Sequence, residues 1–156
     1  MTELDKILLT SGLTIVGGCL VFVFQRFLLD PLNEQSRVLG RITFALHYYG
    51  REYNSPLHLE HADQASQHRY WAVTDKLREL GSSLAETSQG IRLYWIWTIL
   101  RMAPGRKRID EAIGLLTGMS NSMFASTAQD RADQGRQNGD DANAITALLR
   151  LRRWGK

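Results

Sequence analysis

The feature that most constrains this chain is an uninterrupted apolar stretch close to its first residue. The 19 residues from Ile7 to Gln25 carry no charged side chain. As an α-helix this stretch is about 28 Å long, close to the roughly 30 Å hydrocarbon core of a bilayer. Residues 27–29 extend it past Arg26, whose long aliphatic stem reaches toward the headgroups. We therefore predict a transmembrane helix over residues 7–29, preceded by a short N-terminal segment, residues 1–6.

Three other interpretations of the stretch compete with an anchor. A cleaved signal peptide has a basic start and a small-residue cleavage site, whereas residues 1–6 lean acidic and no Ala-x-Ala follows. Residues 16–19, Val-Gly-Gly-Cys, resemble a degenerate lipobox, but residues 20–24 stay apolar where a lipoprotein turns polar. A buried soluble helix is the third possibility, and a domain this small has little interior to enclose it.

Basic residues beside the stretch predict its orientation. Lys6 stands alone on the N-terminal side, while Arg26, Arg37 and Arg41 follow the stretch. By the positive-inside rule, the C-terminal domain is expected in the cytoplasm and the chain in the bacterial cytoplasmic membrane as a single-pass protein.

Small side chains share one face of the predicted span. Ser11, Thr14 and Gly18 lie at three- and four-residue steps, a spacing that lets two transmembrane helices approach closely. This pattern predicts a homo-oligomer formed through the membrane helix. The alternative is that glycine is simply common in transmembrane helices.

Charge and cysteine content narrow the classes of partner. The formal net charge is +3, which suits a bilayer surface but is too weak and dispersed to predict nucleic-acid binding. The one cysteine, Cys19, excludes an intrachain disulfide. We predict no cofactor and no metal, and expect the lipid bilayer and an unknown protein as partners.

The remainder of the chain follows helical periodicity. Apolar residues at three- and four-residue steps predict a helix from Pro31 to the Asn54-Ser55-Pro56 turn, a second over residues 59–86, and a third from about residue 109 to 124. The fold class is therefore all-α, with one N-terminal transmembrane helix followed by a small helical bundle over residues 30–124. The predicted core residues are Leu46, Tyr49, Leu77, Leu80, Trp95, Leu116 and Met123.

A short aromatic segment, Arg92 to Arg101, separates the second and third of these helices. Its eight-residue apolar part, 93–100, is too short to cross a bilayer. Packing in the core is the favoured interpretation, because aromatic side chains dominate core burial. The alternative is an interfacial helix with Tyr94, Trp95 and Trp97 at headgroup level.

The C-terminal part divides by composition. Residues 125–141 are rich in Gln, Asp, Gly and Asn with no large apolar side chain, which predicts a flexible linker. Residues 142–156 return to helical spacing and predict a basic amphipathic tail helix. This helix docks on the membrane or on an acidic partner, or else packs back on the bundle with the same leucines. Its candidate binding residues are Leu148, Leu149, Arg150, Arg152, Arg153 and Trp154.

Two polar patterns suggest chemistry. Arg41 and His47 resemble the Arg-x(4–6)-His signature of HEPN ribonucleases, in which such a pair meets across two protomers at the scissile phosphate. The resemblance implies a catalytic role for these two residues. The alternative is that Arg41 is a juxtamembrane charge and His47 a partly buried polar side chain.

The histidines at 58, 61 and 68 with Glu60 lack the three or four converging ligands that zinc needs, and a solvated helix start explains them better.

The order of motifs resembles a group of small bacterial single-pass membrane proteins with a helical cytoplasmic domain. The matching residues span roughly 7–124. They are Phe27 to Pro31, Gln35, Val38 to Gly40, Ala45-Leu46, Tyr48-Tyr49, Tyr53, Asn54, Pro56 and Leu115 to Asn121. The resemblance implies bacterial origin and this architecture, and no activity.

Three functions fit these observations. The first is a membrane-anchored, non-enzymatic scaffold, regulatory or interaction protein that self-associates. The second is a pore-forming or membrane-disrupting bacterial defence effector, suggested by the small-residue face of the span. The third is a HEPN-like membrane-anchored ribonuclease.

Overall fold

The computed structural model of the chain describes residues 3–58, 62–91, 94–99 and 103–151. The fold is all-α, as predicted, and across these ranges the strands amount to one pair of two residues each. The elements are α1 (Glu3–Phe24), a π-helical turn (Gln25–Leu29), α2 (Asp30–Tyr48), α3 (Gly50–Asn54), β1 (Leu57–His58), α4 (Gln64–Gly90), α5 (Tyr94–Ile99), α6 (Arg106–Asn121), β2 (Phe124–Ala125) and α7 (Ala128–Leu148).

The apolar helix continues into the bundle without a break. We expected a new helix to start at Pro31, but α1, the π-helical turn and α2 follow one another directly. Proline has no N–H, and its ring clashes with the carbonyl four residues back, here that of Phe27. The wider π-helical turn lies just before it, with the Asp30 N–H bonded to the Gln25 carbonyl. The wide turn thus accommodates Pro31, and α1 and α2 remain continuous.

One helix among the described residues is long and apolar enough to cross a membrane. It runs from Thr10 to Tyr48, and none of its most apolar window is buried. Leu13 is 71% exposed and Phe22 is 65% exposed. The bundle core thus forms without this apolar surface.

The long helices of the bundle alternate in direction. Helices α4 and α6 are antiparallel, because Arg78 bonds Asn121 (3.0 Å) while Gly81, one turn later, lies against Leu116. Helix α4 begins near the end of α2, where the Tyr70 hydroxyl donates to the Ser55 carbonyl (2.6 Å). The resulting order is an up-down-up-down bundle made by α2, α4, α6 and α7.

This order gives the bundle two distinct ends. The end where α2 begins, next to the apolar helix, is called the proximal end below. The opposite end, which we call the distal end, is closed by a parallel pairing of Leu57 with Phe124 and His58 with Ala125.

The predicted core is confirmed wherever the side chains are described. Leu77, Leu80, Leu116 and Met123 are fully buried, and Leu46 is 7% exposed. A sixth residue, Tyr49, is half-buried against this cluster. The side chain of the seventh, Trp95, lies outside the described set.

The predicted flexible linker over residues 125–141 is wrong. Residues 128–148 form the single helix α7, which packs on α3 and α6. Its start is capped by Thr127, whose hydroxyl accepts the Asp130 N–H (3.1 Å). The small residues of this segment allow close packing, since a Cβ at Gly135 would overlap the Asn54 carbonyl. Asn138, which is buried, donates to the Tyr53 carbonyl (2.9 Å).

The C-terminal segment packs back on the bundle. Ile145 and Leu149 are buried in the core, which confirms the alternative in which the C-terminal leucines pack back on the bundle. The prediction of a separate helix over residues 142–156 is wrong, because residues 142–148 continue α7. Arg150, two residues past the end of α7, has a positive φ of 55°, and the Leu151 N–H donates to the Thr146 carbonyl (2.9 Å). Arg152, Arg153 and Trp154 lie outside the described residues.

Replacing Gly135 by alanine should destabilise the bundle by roughly 1–3 kcal/mol, because the new methyl group meets backbone that has no rotamer to escape into. Gly114, on the exposed side of α6 with nothing within 4 Å of an added Cβ, is the matched control. Gly114→Ala should stabilise by up to about 1 kcal/mol through helix propensity. Denaturant unfolding of the two detergent-solubilised variants measures both effects. Equal midpoints would show that α7 does not pack on α3.

Candidate functional site

The proximal end is held together by a hydrogen-bonded relay of side chains. Gln35 lies on the buried face of α2, six residues past Leu29, and its Nε2 donates to the Tyr94 hydroxyl (3.0 Å). That hydroxyl donates in turn to the Pro104 carbonyl (2.6 Å). The relay fixes α5 and the start of α6 beside the first turns of α2.

Tyr94 is the centre of this relay. It is 4% exposed, and burial raises the pKa of its hydroxyl, an effect that the Gln35 hydrogen bond and the nearby Arg106 partly offset. The Arg106 guanidinium lies 5.5 Å from the ring centroid, a cation–π distance. Tyr94 and Trp97 are both buried, so packing in the core is confirmed for these two aromatic side chains. Ile99, on the same helix, is 69% exposed.

The end of α7 reaches the same region. Leu149, Arg150 and Leu151 border a surface depression of about 480 Å³ together with residues of α2 that begin at Ser36. Of the candidate tail residues, Leu149 is buried and Leu148 half-buried, so these leucines contact the bundle. Arg150 is exposed.

Exposed positive charge collects at the proximal end. Arg106, Lys107 and Arg108 form the first turn of α6, and all three are exposed. Asp110 and Glu111, the nearest acidic residues on this helix, follow in the next turn, farther from the proximal end. Arg150, farther along the sequence, is exposed beside α2, where it borders the depression with Leu39 and Gly40.

The predicted association face of the apolar helix is unobstructed. Ser11, Thr14 and Gly18 are all exposed, and nothing lies within 4 Å of a Cβ added at Gly18. The Thr14 hydroxyl donates to the Thr10 carbonyl (2.9 Å), so its polar group is satisfied within the helix. The helix therefore presents a face with little side-chain bulk.

Arg41 and His47 do not form one site within the chain. They are six residues apart on α2, which places them about 120° apart around the helix axis. Arg41 interacts with Glu34 (3.5 Å), whereas His47 borders a separate depression of about 310 Å³. The ribonuclease interpretation therefore requires a partner chain to complete the pair, and it stays a prediction.

The outward face of α2 carries two exposed aromatic side chains. Phe44 and Tyr48 are 64% and 62% exposed, and their rings stack with centroids 5.3 Å apart. Gly40 lies one turn before them and adds no bulk. Exposed stacked aromatics of this kind suit contact with another macromolecule.

At the distal end, a buried carboxylate pairs with an arginine. The Glu52 side chain is 4% exposed, and one of its oxygens interacts with Arg69, which is 61% exposed. Burial raises the pKa of the neighbouring Tyr70, and the Glu52 charge raises it further. The pair fixes α3 against α4, and its setting is that of a structural contact.

The histidines at 58, 61 and 68 and Glu60, for which the sequence favours a solvated helix start over a zinc site, lie only partly among the described residues. His58 lies on β1 and His68 is exposed on α4, while Glu60 and His61 lie outside the described residues. Among the residues the structure describes, no group of three or more His, Cys, Asp or Glu side chains converges as a metal site would require.

No protein-family model matches this chain, and neither the curated proteins nor the solved structures include a significant match.

Sequence reasoning missed Gln35 as the link to α5, although a signal was present. Gln35 is in register with Val38 and Ile42, which lie on the buried face of α2. A polar residue in the middle of an apolar face needs a hydrogen-bonding partner. The pattern thus indicated a buried polar contact, although not its partner.

The tyrosines of the bundle predict loss of stability in alkali. Burial raises the pKa of Tyr53, Tyr70 and Tyr94, whose hydroxyls all donate to backbone carbonyls. Because the folded state holds these protons more tightly than the unfolded state, their contribution is complete below about pH 10 and is lost as pH rises above it. Tyr94→Phe should weaken this alkaline loss and cost roughly 1–3 kcal/mol at neutral pH, since it leaves Gln35 and Pro104 unpaired.

Denaturant unfolding at several pH values between about 8 and 11 measures the effect. Tyr48→Phe is the control, because the Tyr48 side chain is largely exposed. If the two variants share one pH profile, Tyr94 does not hold the proximal end together.

Proposed function

We propose that this chain is a single-pass, membrane-anchored interaction protein of the bacterial cytoplasmic membrane, a non-enzymatic scaffold or regulator that self-associates. The observation that carries the proposal is the exposed apolar helix running directly into the bundle. A soluble monomer buries such a surface, and the described part of the bundle leaves it uncovered, which favours a bilayer as the phase that covers it.

The charge distribution supports a cytoplasmic bundle. The positive-inside rule rests on basic residues near the end of a span. Arg26 lies within the span and Arg37 and Arg41 lie up to 12 residues past its end at Leu29, whereas Lys6 stands alone before it. This surplus of positive charge beside the span favours the cytoplasmic side.

Self-association is supported by the exposed small-residue face of α1. Anchoring confines two copies to one plane and one orientation, which favours parallel pairing of their spans. Gly18 and Ser11 allow the two backbones to approach closely, and close packing is what drives helix association in lipid. The pore-forming alternative uses the same face but requires a ring of many copies.

Removing residues 7–29 should release the bundle into the soluble fraction, since the remaining chain retains the whole described core. The full-length chain should stay with membranes through a carbonate wash. Fractionation with immunoblotting measures the distribution, and N-terminal sequencing of the mature chain tests for cleavage. A full-length protein that is soluble without detergent, or a mature N-terminus at or after Cys19, contradicts the anchor.

Cross-linking within membranes should locate the pairing face. In a Cys19→Ser background, Ser11→Cys should form disulfide-linked dimers on mild oxidation, because this face meets its copy. Val16→Cys, on the opposite side of the helix, should form few. Equal yields from the two positions would exclude pairing through this face. Light-scattering mass of the detergent-extracted complex separates a small oligomer from the large ring that a pore requires.

A further inference from the structure

We propose that the proximal end of the bundle is a lipid-docking surface. Ile99 and the exposed basic residues Lys107 and Arg108 contact the anionic headgroup layer of the same bilayer that α1 crosses. This inference deepens the proposed function and rests on it, because the span sets the height of the surface above the membrane.

The height follows from the helix geometry. Gln35 is six residues past Leu29, the end of the apolar stretch, so it stands about 9 Å above the hydrocarbon edge. The headgroup layer on each side of a bilayer is about 5–8 Å thick. The relay from Gln35 through Tyr94 to Pro104 therefore holds α5 and the start of α6 just above the headgroups. The reach of an extended side chain covers the remaining distance.

The exposed chemistry of this end suits a bilayer interface. Ile99 is a large apolar side chain with 69% of its surface exposed, although its helix neighbours Tyr94 and Trp97 are buried. Lys107 and Arg108 are exposed at the start of α6. Apolar contact together with basic side chains is the combination by which interfacial helices hold anionic membranes.

Nearby acidic groups do not cancel this charge. On α2, Asp30 interacts with Arg26 (3.4 Å), and Glu34 interacts with Arg37 (3.4 Å) and Arg41 (3.5 Å). On α6, Asp110 and Glu111 lie beyond the basic turn. Glu86, exposed four residues before the end of α4, is a further acidic residue at this end, and Arg106, Lys107 and Arg108 outnumber it. The surface that faces the bilayer therefore keeps a net positive charge.

Proximity favours the bilayer over a soluble acidic protein as the occupant. The anchor holds the surface within about one Debye length of the headgroups at all times, so the encounter is intramolecular. Each basic residue near an anionic surface contributes about 1 kcal/mol, equivalent to roughly fivefold in the docking equilibrium. Lys107 and Arg108 together should therefore change that equilibrium roughly 25-fold.

Spin-label depth measurements on the full chain test the proposal. In a Cys19→Ser background, a nitroxide is attached at Ile99→Cys or at Ser126→Cys, an exposed position next to β2 at the distal end. Both proteins are placed in nanodiscs of phosphatidylcholine, with and without phosphatidylserine. In the discs with phosphatidylserine, oxygen should relax the label at 99 more than an aqueous nickel chelate does, and the label at 126 should show the reverse.

The double variant Lys107→Gln with Arg108→Gln should shift the label at 99 toward the nickel chelate in the anionic discs. The matched control, Arg131→Gln with Arg136→Gln, removes the same charge from exposed positions on α7 and should leave it unchanged. A label at 99 as accessible to nickel as the label at 126, or equal effects of the two double variants, overturns the docking surface. If the chain fails to insert into nanodiscs at all, the anchor itself is wrong.

Discussion

The unbroken helix from the apolar stretch into the bundle is the constraint on which the rest of the architecture depends. A flexible joint at Pro31 would let the bundle move freely above a membrane. Instead, the helical hydrogen bonds continue through a π-helical turn, so the direction of α2 follows that of α1. Because the other helices pack on α2 directly or through its neighbours, the whole bundle takes its orientation from one helix.

Much of the bundle could be predicted from apolar periodicity. The helix α7, which this periodicity did not predict, packs in a different way. Large side chains such as Leu77 and Leu116 mark a buried face wherever they recur at helical steps. Helix α7 packs instead through Gly135 and Asn138, whose burial serves close approach and hydrogen bonding. Composition alone does not distinguish such a face from a solvated linker, because both are poor in large apolar residues.

The candidate site was harder to predict because it depends on topology. Gln35 and Arg106, at the start of the basic turn of α6, are 71 residues apart in sequence. The relay through Tyr94 and the alternating direction of the helices place both at the proximal end. Of the two tail interpretations, packing on the bundle is the one confirmed, since Leu149 lies in the core while Arg150 beside it is exposed.

The π-helical turn over Gln25–Leu29 also sets the rotation of α2 about the helix axis relative to α1. It contains one residue more than an α-helical turn, and one residue corresponds to about 100° of rotation about the helix axis. In an uninterrupted α-helix, one particular face of α2 would continue the line of Ser11 and Gly18. The extra residue rotates α2, so that a face one side-chain position away continues this line instead. In a pair of chains joined along their spans, this single residue determines which sides of the two bundles confront each other.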